Sequence, residues 1–178
     1  MRVIFLDIDG VLNSHRTAVA YRQILYRKLD PVAVAMLYRI VKFAPADIVV
    51  SSTWRLDKDW LTLVWGCLRE AGFPWDGDRC PIIDRTGRYH KSINENDDYP
   101  GINTGRGEEI KLWLDEHPEY DDYIILDDDS DMRPDQLDRF IHVEGKVGLG
   151  YDDFRKISEL WPEIETKEAM EGTSAYWK

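Results

Sequence analysis

Arg2-Val3-Ile4-Phe5-Leu6-Asp7-Ile8-Asp9-Gly10-Val11-Leu12-Asn13 is the stretch on which the fold depends. Val3 to Leu6 is too short for a buried helix and lacks the alternation of a half-exposed strand, so it predicts a buried parallel strand. The run ends on two carboxylates. As alternate residues, Asp7 and Asp9 leave the strand edge on the same side, and Gly10 permits the sharp turn that follows. Two acids held so close repel each other unless a cation or a shared proton stabilises them. The chemistry is expected here.

Working outward, two more short apolar runs end in polar clusters. Asp47 to Val50 (DIVV) leads into Ser51-Ser52-Thr53-Trp54-Arg55, and Tyr123 to Leu126 (YIIL) leads into Asp127-Asp128-Asp129-Ser130-Asp131. Helical segments separate them. Asp30-Pro31 supplies an N-cap and an N1 proline for a helix with Ala33, Met36, Leu37, Ile40, Val41 and Ala44 on one stripe, ending before Pro45. Asp57 can cap a second helix that buries Trp60, Leu61, Val64, Trp65 and Leu68. A third, after Thr104-Gly105-Arg106-Gly107, buries Ile110, Trp113 and Leu114. A short helix from Pro134, a strand from Phe140 to Val143 and a helix with Phe154, Ile157 and Trp161 complete the pattern. This alternation predicts an α/β fold, a Rossmann-like open parallel sheet with helices on both faces. Such sheets bind ligands at the C-terminal ends of their strands, where all three polar clusters fall.

The chain of 178 residues suits one domain, expected over residues 1–161 with a tail at 162–178. A flap is expected at about 13–30. A small insertion is expected at about 73–103, with a hairpin in 81–90 turning at Thr86-Gly87. The formal net charge of −11 argues against tracking long nucleic acid, although nucleic-acid ends remain open. Cys67 and Cys80 fit neither a zinc spacing nor a disulfide framework, Asp7 and Asp9 interrupt the only apolar run near the start, and no stretch is long enough to span a bilayer. A cytoplasmic location away from membranes is expected.

Charge assigns roles at the strand ends. Asp7, Asp9, Asp127 and Asp128 gather carboxylates that a hard divalent cation would stabilise, and Mg²⁺ is favoured because it binds through a few carboxylates together with substrate phosphate. Arg106 at a helix mouth and the hydroxyls of Ser51 and Ser52 suit phosphate oxygens. Asp7 would attack phosphorus, and Asp9 would protonate the leaving oxygen and later activate water, a role that favours a carboxyl with a raised pKa.

These residues resemble the motifs of the haloacid dehalogenase (HAD) superfamily of phosphohydrolases. Phe5 to Val11 (FLDIDGV) looks like its first motif, Val49-Val50-Ser51 its second, Arg106 its third and Ile124 to Asp128 (IILDD) its fourth. The set FLDIDGVLN, SSTWR, RGEEIKLWL and ILDDDSD is similar to small HAD domains of RNA-repair proteins and, more loosely, to the phosphatase half of phage polynucleotide kinase-phosphatases. The resemblance covers about residues 2–150. It implies Asp7 as nucleophile, Asp9 as acid/base and backbone metal ligand, and Asp128 as the principal fourth-motif ligand with Asp127 beside it. It does not choose between Ser51 and Ser52; the first residue past the strand is preferred. Lys111 is the fallback for Arg106. It also implies a cap at 13–29 or 72–103, too small to be a domain. Dehalogenases of this superfamily lack the second aspartate, so Asp9 favours phosphate-ester or anhydride cleavage.

Gly10, Ser52, Trp54 and Arg55 are the candidates for contacting substrate. Trp54 either packs beside the site or stacks on a nucleobase, and Arg55 either pairs with a carboxylate of the site or meets substrate. Arg79, Arg85, Arg88, His90 and Lys91 form a cationic patch that is either a solvated loop or a recognition element. His15, His90, His117 and His142 are scattered. The expected substrate is a nucleotide or other small phosphomonoester. The alternatives are a polynucleotide 3′-phosphate and, from another class, a catalytically silent binding domain.

Overall fold

The computed structural model describes residues 1–22, 27–74, 80–87, 90–91, 102–103 and 105–164. Its strands in chain order are β1 (Arg2–Leu6), β2 (Asp47–Val50), β3 (Ile82–Arg85), the short β4 (His90–Lys91) and β5 (Ile102–Asn103), β6 (Asp122–Asp127) and β7 (Phe140–His142). Five of them form one sheet in the order β3-β2-β1-β6-β7, with all neighbours parallel. β1 is therefore central, and Val3, Ile4, Phe5 and Leu6 are wholly buried, as the unbroken apolar run requires.

The helices are α1 (His15–Tyr21), α2 (Pro31–Phe43), α3 (Trp60–Glu70), α4 (Arg106–Glu116) and α5 (Tyr151–Leu160). Strand alternation divides the interior into two layers. Ile4, Leu6, Ile48, Val50, Ile124 and Leu126 pack with buried residues of α2, α3 and α5, while Val3, Phe5, Val49 and Ile125 pack with Ile110 and Trp113 of α4. The Phe5 and Trp113 rings meet edge to face at 5.4 Å. Asp30 caps α2, its Oδ1 accepting from Val32 N at 2.8 Å, and Pro31 occupies the first turn.

Register places the site. Leu6 lies opposite Val50 on one side and Leu126 on the other, so the next residues, Asp7, Ser51 and Asp127, form a row across three strands. The row is fixed by Asp7 N donating to Leu126 O (2.9 Å) and Ser51 N to Leu6 O (3.0 Å). Period two assigns it to the face that carries α4.

Several segments differ in detail from expectation. The segment expected as a flap contains α1, which Ser14 starts by accepting from Thr17 N; its seven residues are too few to show a stripe, and Val19 stays exposed. Residues 82–85 do not form a hairpin within 81–90: Ile82 is buried and β3 joins the main sheet parallel to β2, while β4 pairs with β5. A 3₁₀ turn, Thr53–Leu56, intervenes before α3, whose Leu61 faces solvent instead of the core. Most of the 73–103 insertion and of the 162–178 tail lies outside the described residues. Among those described, no helix is long and apolar enough to cross a membrane.

Candidate active site

The row of strand ends forms the floor of a cleft of about 1170 Å³, lined by Asp7, Asp9, Gly10, Trp54, Arg106 and Asp128 among others. Asp7 is 5 % exposed and Asp127 1 %. Arg106, first residue of α4, reaches both: Nη1 stands 3.5 Å from Asp7 Oδ1 and Nε 3.6 Å from Asp127 Oδ2. Its helix start is pinned by Asp131, which accepts from Arg106 N at 2.7 Å, and by Gln136, which donates to Gly107 O at 2.9 Å. Lys111 is turned elsewhere. Its ammonium pairs with Asp115 at 2.6 Å on the exposed side of α4, so the fallback for the third motif does not reach the site.

Asp7, Asp127 and Asp128 can each offer an oxygen within 4.8 Å of the others. Burial, followed by the Asp127 charge, pushes the Asp7 carboxyl up to about 8, against the pull of Arg106 and a hydrogen bond from the Ser52 hydroxyl. Burial likewise pushes Asp127 up to about 6, and burial with the Asp129 charge raises Asp128. Arg106 alone therefore undercompensates the carboxylates. Asp127 Oδ2 is buried without a hydrogen-bond partner among the described residues, as are Arg106 Nη1 and Ser51 Oγ. An all-oxygen donor set with an excess of negative charge and an orphaned carboxylate oxygen fits a hard divalent cation.

Asp128 owes its position to two glycines. A Cβ on Gly10, where φ is +79°, would lie 2.1 Å from Asp128 Oδ2, and one on Gly145 would lie 2.3 Å from it. Gly10 lines the cleft, but its visible task is to make room for this carboxylate. His142 Nε2 hydrogen-bonds the Asp128 carbonyl oxygen at 2.9 Å.

Asp9 stands apart from the acidic cluster. Its Oδ2 accepts from the indole N–H of Trp54 at 3.0 Å and its Oδ1 from Asn13 Nδ2 at 2.8 Å. Trp54 thus does more than pack, and its ring nitrogen points inward.

The two serines differ. Ser52 Oγ bonds Asp7 and accepts from Trp54 N at 3.5 Å, whereas Ser51 Oγ, in the row itself, has no partner among the described residues. Thr86, whose N–H donates to Val50 O, adds another buried hydroxyl beside Ser51 without a hydrogen-bond partner among the described residues.

Of the two alternatives for Arg55, the structure has it paired with a carboxylate, that of Glu109 and not one of the acidic cluster: buried, it bonds Glu109 Oε2 at 2.6 Å and the Ser51 carbonyl oxygen. Arg85 is committed too, to the Arg55 carbonyl oxygen and to the Trp60 ring at 5.3 Å, so it is a brace. The other side chains of the cationic patch lie outside the described residues. Asn13, Thr86 and Glu109 are site residues that sequence reasoning misses. Asn13 has a usable signal, four residues beyond Asp9 in a turn; Glu109 beside Glu108 reads as an ordinary surface acid.

The model of one protein family, described as the HAD domain in Swiss Army Knife RNA repair proteins, matches residues 3–154. No curated protein and no solved structure matches the chain significantly.

Proposed function

We propose that this chain, which belongs to the family of HAD domains in Swiss Army Knife RNA repair proteins, is a Mg²⁺-dependent phosphohydrolase that works through an aspartyl-phosphate on Asp7. At superfamily level the family supports a phosphatase-type hydrolase; the metal, the intermediate and the substrate are our reading. The observation that carries it is the buried row of Asp7 and Asp127 facing Arg106, with Ser51 Oγ and Arg106 Nη1 beside the nucleophile and without hydrogen-bond partners among the described residues. Those two donors suit phosphoryl oxygens that protein groups leave unclaimed.

Asp7, Asp127 and Asp128 would hold Mg²⁺, with the Asp9 backbone carbonyl as the resemblance implies. When bound, the ion would neutralise the carboxylates and the charge that shifts onto phosphoryl oxygens. Asp7 then attacks phosphorus as the carboxylate, and the ester P–O bond breaks while Asp9 gives its proton to the leaving oxygen. In the second half Asp9 takes a proton from water as it attacks phosphorus, releasing phosphate and Asp7.

The substrate is read as a nucleotide or other small phosphomonoester. A second reading, removal of a 3′-phosphate from a polynucleotide end, is favoured by the family's description and by a cleft much larger than a phosphate, with Arg27 and Lys146 on its lining. A silent binding domain would lack nucleophile, acid/base or phosphate clamp, and each has a candidate in this site.

The test is phosphate release from a panel of phosphomonoesters by wild type and Asp7→Asn, with Mg²⁺ and with chelator. Release only by wild type with Mg²⁺ is expected. A wild type inactive on every substrate, or a variant equal to it, ends the enzyme reading. A 3′-phosphorylated oligonucleotide turned over well above free nucleotides selects the second substrate.

A further inference from the structure

We infer that Trp54 is a positioning residue for Asp9, holding through its indole N–H the carboxyl that exchanges a proton with the leaving oxygen and with water. The inference rests on the phosphohydrolase reading above.

Asp9 is held from two sides. Asn13 belongs to the same turn, its carbonyl and amide oxygens both accepting from Gly10 N at 2.9 and 3.2 Å, so it moves with the loop it orients. Trp54 comes from another element, 45 residues along the chain. Its support is firm: Ser52 Oγ accepts from its backbone N–H, and the next residue, Arg55, is locked to Glu109 and to the Ser51 carbonyl. The Trp54–Asp9 bond therefore ties a glycine turn to the braced end of β2.

The choice of donor matters chemically. An indole nitrogen donates and cannot accept or titrate near neutrality, so it fixes the carboxyl without competing for the proton. One donor on each oxygen leaves each a second lone pair for that transfer. The same carboxyl must be aimed correctly in both half-reactions, first at an ester oxygen and then at water, and misaim by a fraction of a bond length weakens both. A tryptophan kept for nucleobase stacking has no need to point its N–H at a carboxylate.

The test is Trp54→Phe, which keeps an aromatic ring and removes the donor, assayed on two substrates that differ in leaving group. With a nucleoside 3′-monophosphate, whose alkoxide must be protonated to depart, kcat/KM, which reports the steps through leaving-group departure, is expected to fall by about 10–100-fold, within the range that acid–base catalysis contributes. With p-nitrophenyl phosphate, whose leaving group departs unprotonated, kcat/KM should fall by less than about 3-fold by the same reasoning, while kcat on it falls as well where hydrolysis of the aspartyl-phosphate, in which Asp9 activates water, limits turnover. The ratio of the two rates on one preparation is independent of the fraction folded. Equal falls in kcat/KM on both substrates overturn the inference.

A second measurement needs no change at Trp54. In Asp9→Ala the Trp54 indole proton is expected to shift upfield and exchange faster with solvent by NMR; an unchanged resonance rejects the bond. Wild type that releases no phosphate from either substrate removes the enzyme reading and this inference together, whereas an active wild type with an unchanged ratio in Trp54→Phe removes only the inference.

Discussion

Two buried charge clusters lie side by side against α4, and they are finished differently. Arg55 and Glu109 are 5 % and 4 % exposed and meet at 2.6 Å, with a further bond from Arg55 to the Ser51 carbonyl. Arg106 meets Asp7 and Asp127 only at 3.5 and 3.6 Å, and both Arg106 Nη1 and Asp127 Oδ2 lack a hydrogen-bond partner among the described residues. In this second cluster one positive charge faces several carboxylates. The first cluster is one-to-one and contracted, and although Arg55 Nε also lacks a hydrogen-bond partner among the described residues, its two charges balance, as in a scaffold pair when both charges leave water. The second is held open and electrically incomplete, which destabilises the fold locally and leaves donors and acceptors for something else. The closed pair frames the open one: Arg55–Glu109 joins the end of β2 to the first turn of α4, the two elements that carry Ser51 and Arg106.

The comparison predicts opposite effects of removing charge. In the closed cluster, Glu109→Ala strands a buried guanidinium and should cost about 3–5 kcal/mol in urea unfolding. A smaller loss would mean that water or another acid takes over Arg55. In the open cluster, Asp127→Asn should stabilise the metal-free protein by about 1–2 kcal/mol at pH 8, since it relieves a carboxylate already displaced upward. It should also weaken the stabilisation that Mg²⁺ confers. Destabilisation by this variant would contradict the assigned repulsion.

Titration separates the clusters further. Folded Asp7 and Asp127 keep protons that unfolded carboxylates have released above about pH 4. The unfolded state thus binds fewer protons, and stability falls as pH rises toward the Asp7 value of about 8. Asp30, whose carboxyl is held below its usual range by hydrogen bonds from Arg16 and Val32 against the effect of burial, is ionised in both states over this window and contributes no slope. With chelator, the unfolding midpoint should drop between pH 5 and pH 8 by on the order of 5 °C, and Mg²⁺ should flatten the drop. A midpoint rising over that window would contradict the raised carboxyls. The smallest effect belongs to Lys111→Ala, expected within about 0.5 kcal/mol of wild type because its pair with Asp115 is exposed, with phosphatase activity intact. A large loss of activity would transfer the third-motif role from Arg106 to Lys111.

The floor of the site was legible because its logic is periodic. Short apolar runs that stop at acids predict strand ends, and parallel register then brings Asp7, Ser51 and Asp127 into one row. The walls were not, because their contacts join residues far apart in sequence without any periodic mark. Trp54 and Arg55 follow a strand end and invite substrate roles; only the fold reveals that one is bonded to Asp9 and the other to Glu109. The buried hydroxyls illustrate the limit most finely. Ser51 and Ser52 are adjacent and chemically identical, and only their directions divide them, Ser52 toward Asp7 and Ser51 toward no partner among the described residues. α1 escapes a pattern search because a single short helix that buries Thr17 and Ala18 has no repeating stripe to read.

The central claim is that the incomplete cluster exists to make Asp7 a nucleophile. Enzyme turning over a phosphomonoester with Mg²⁺ can be quenched in acid, digested and examined by mass spectrometry for the peptide that contains Asp7. The account predicts one added phosphoryl group on that aspartate, removed by hydroxylamine and absent from Asp7→Asn. Phosphate released at full rate with no label on Asp7, or with the label on another residue, would contradict it.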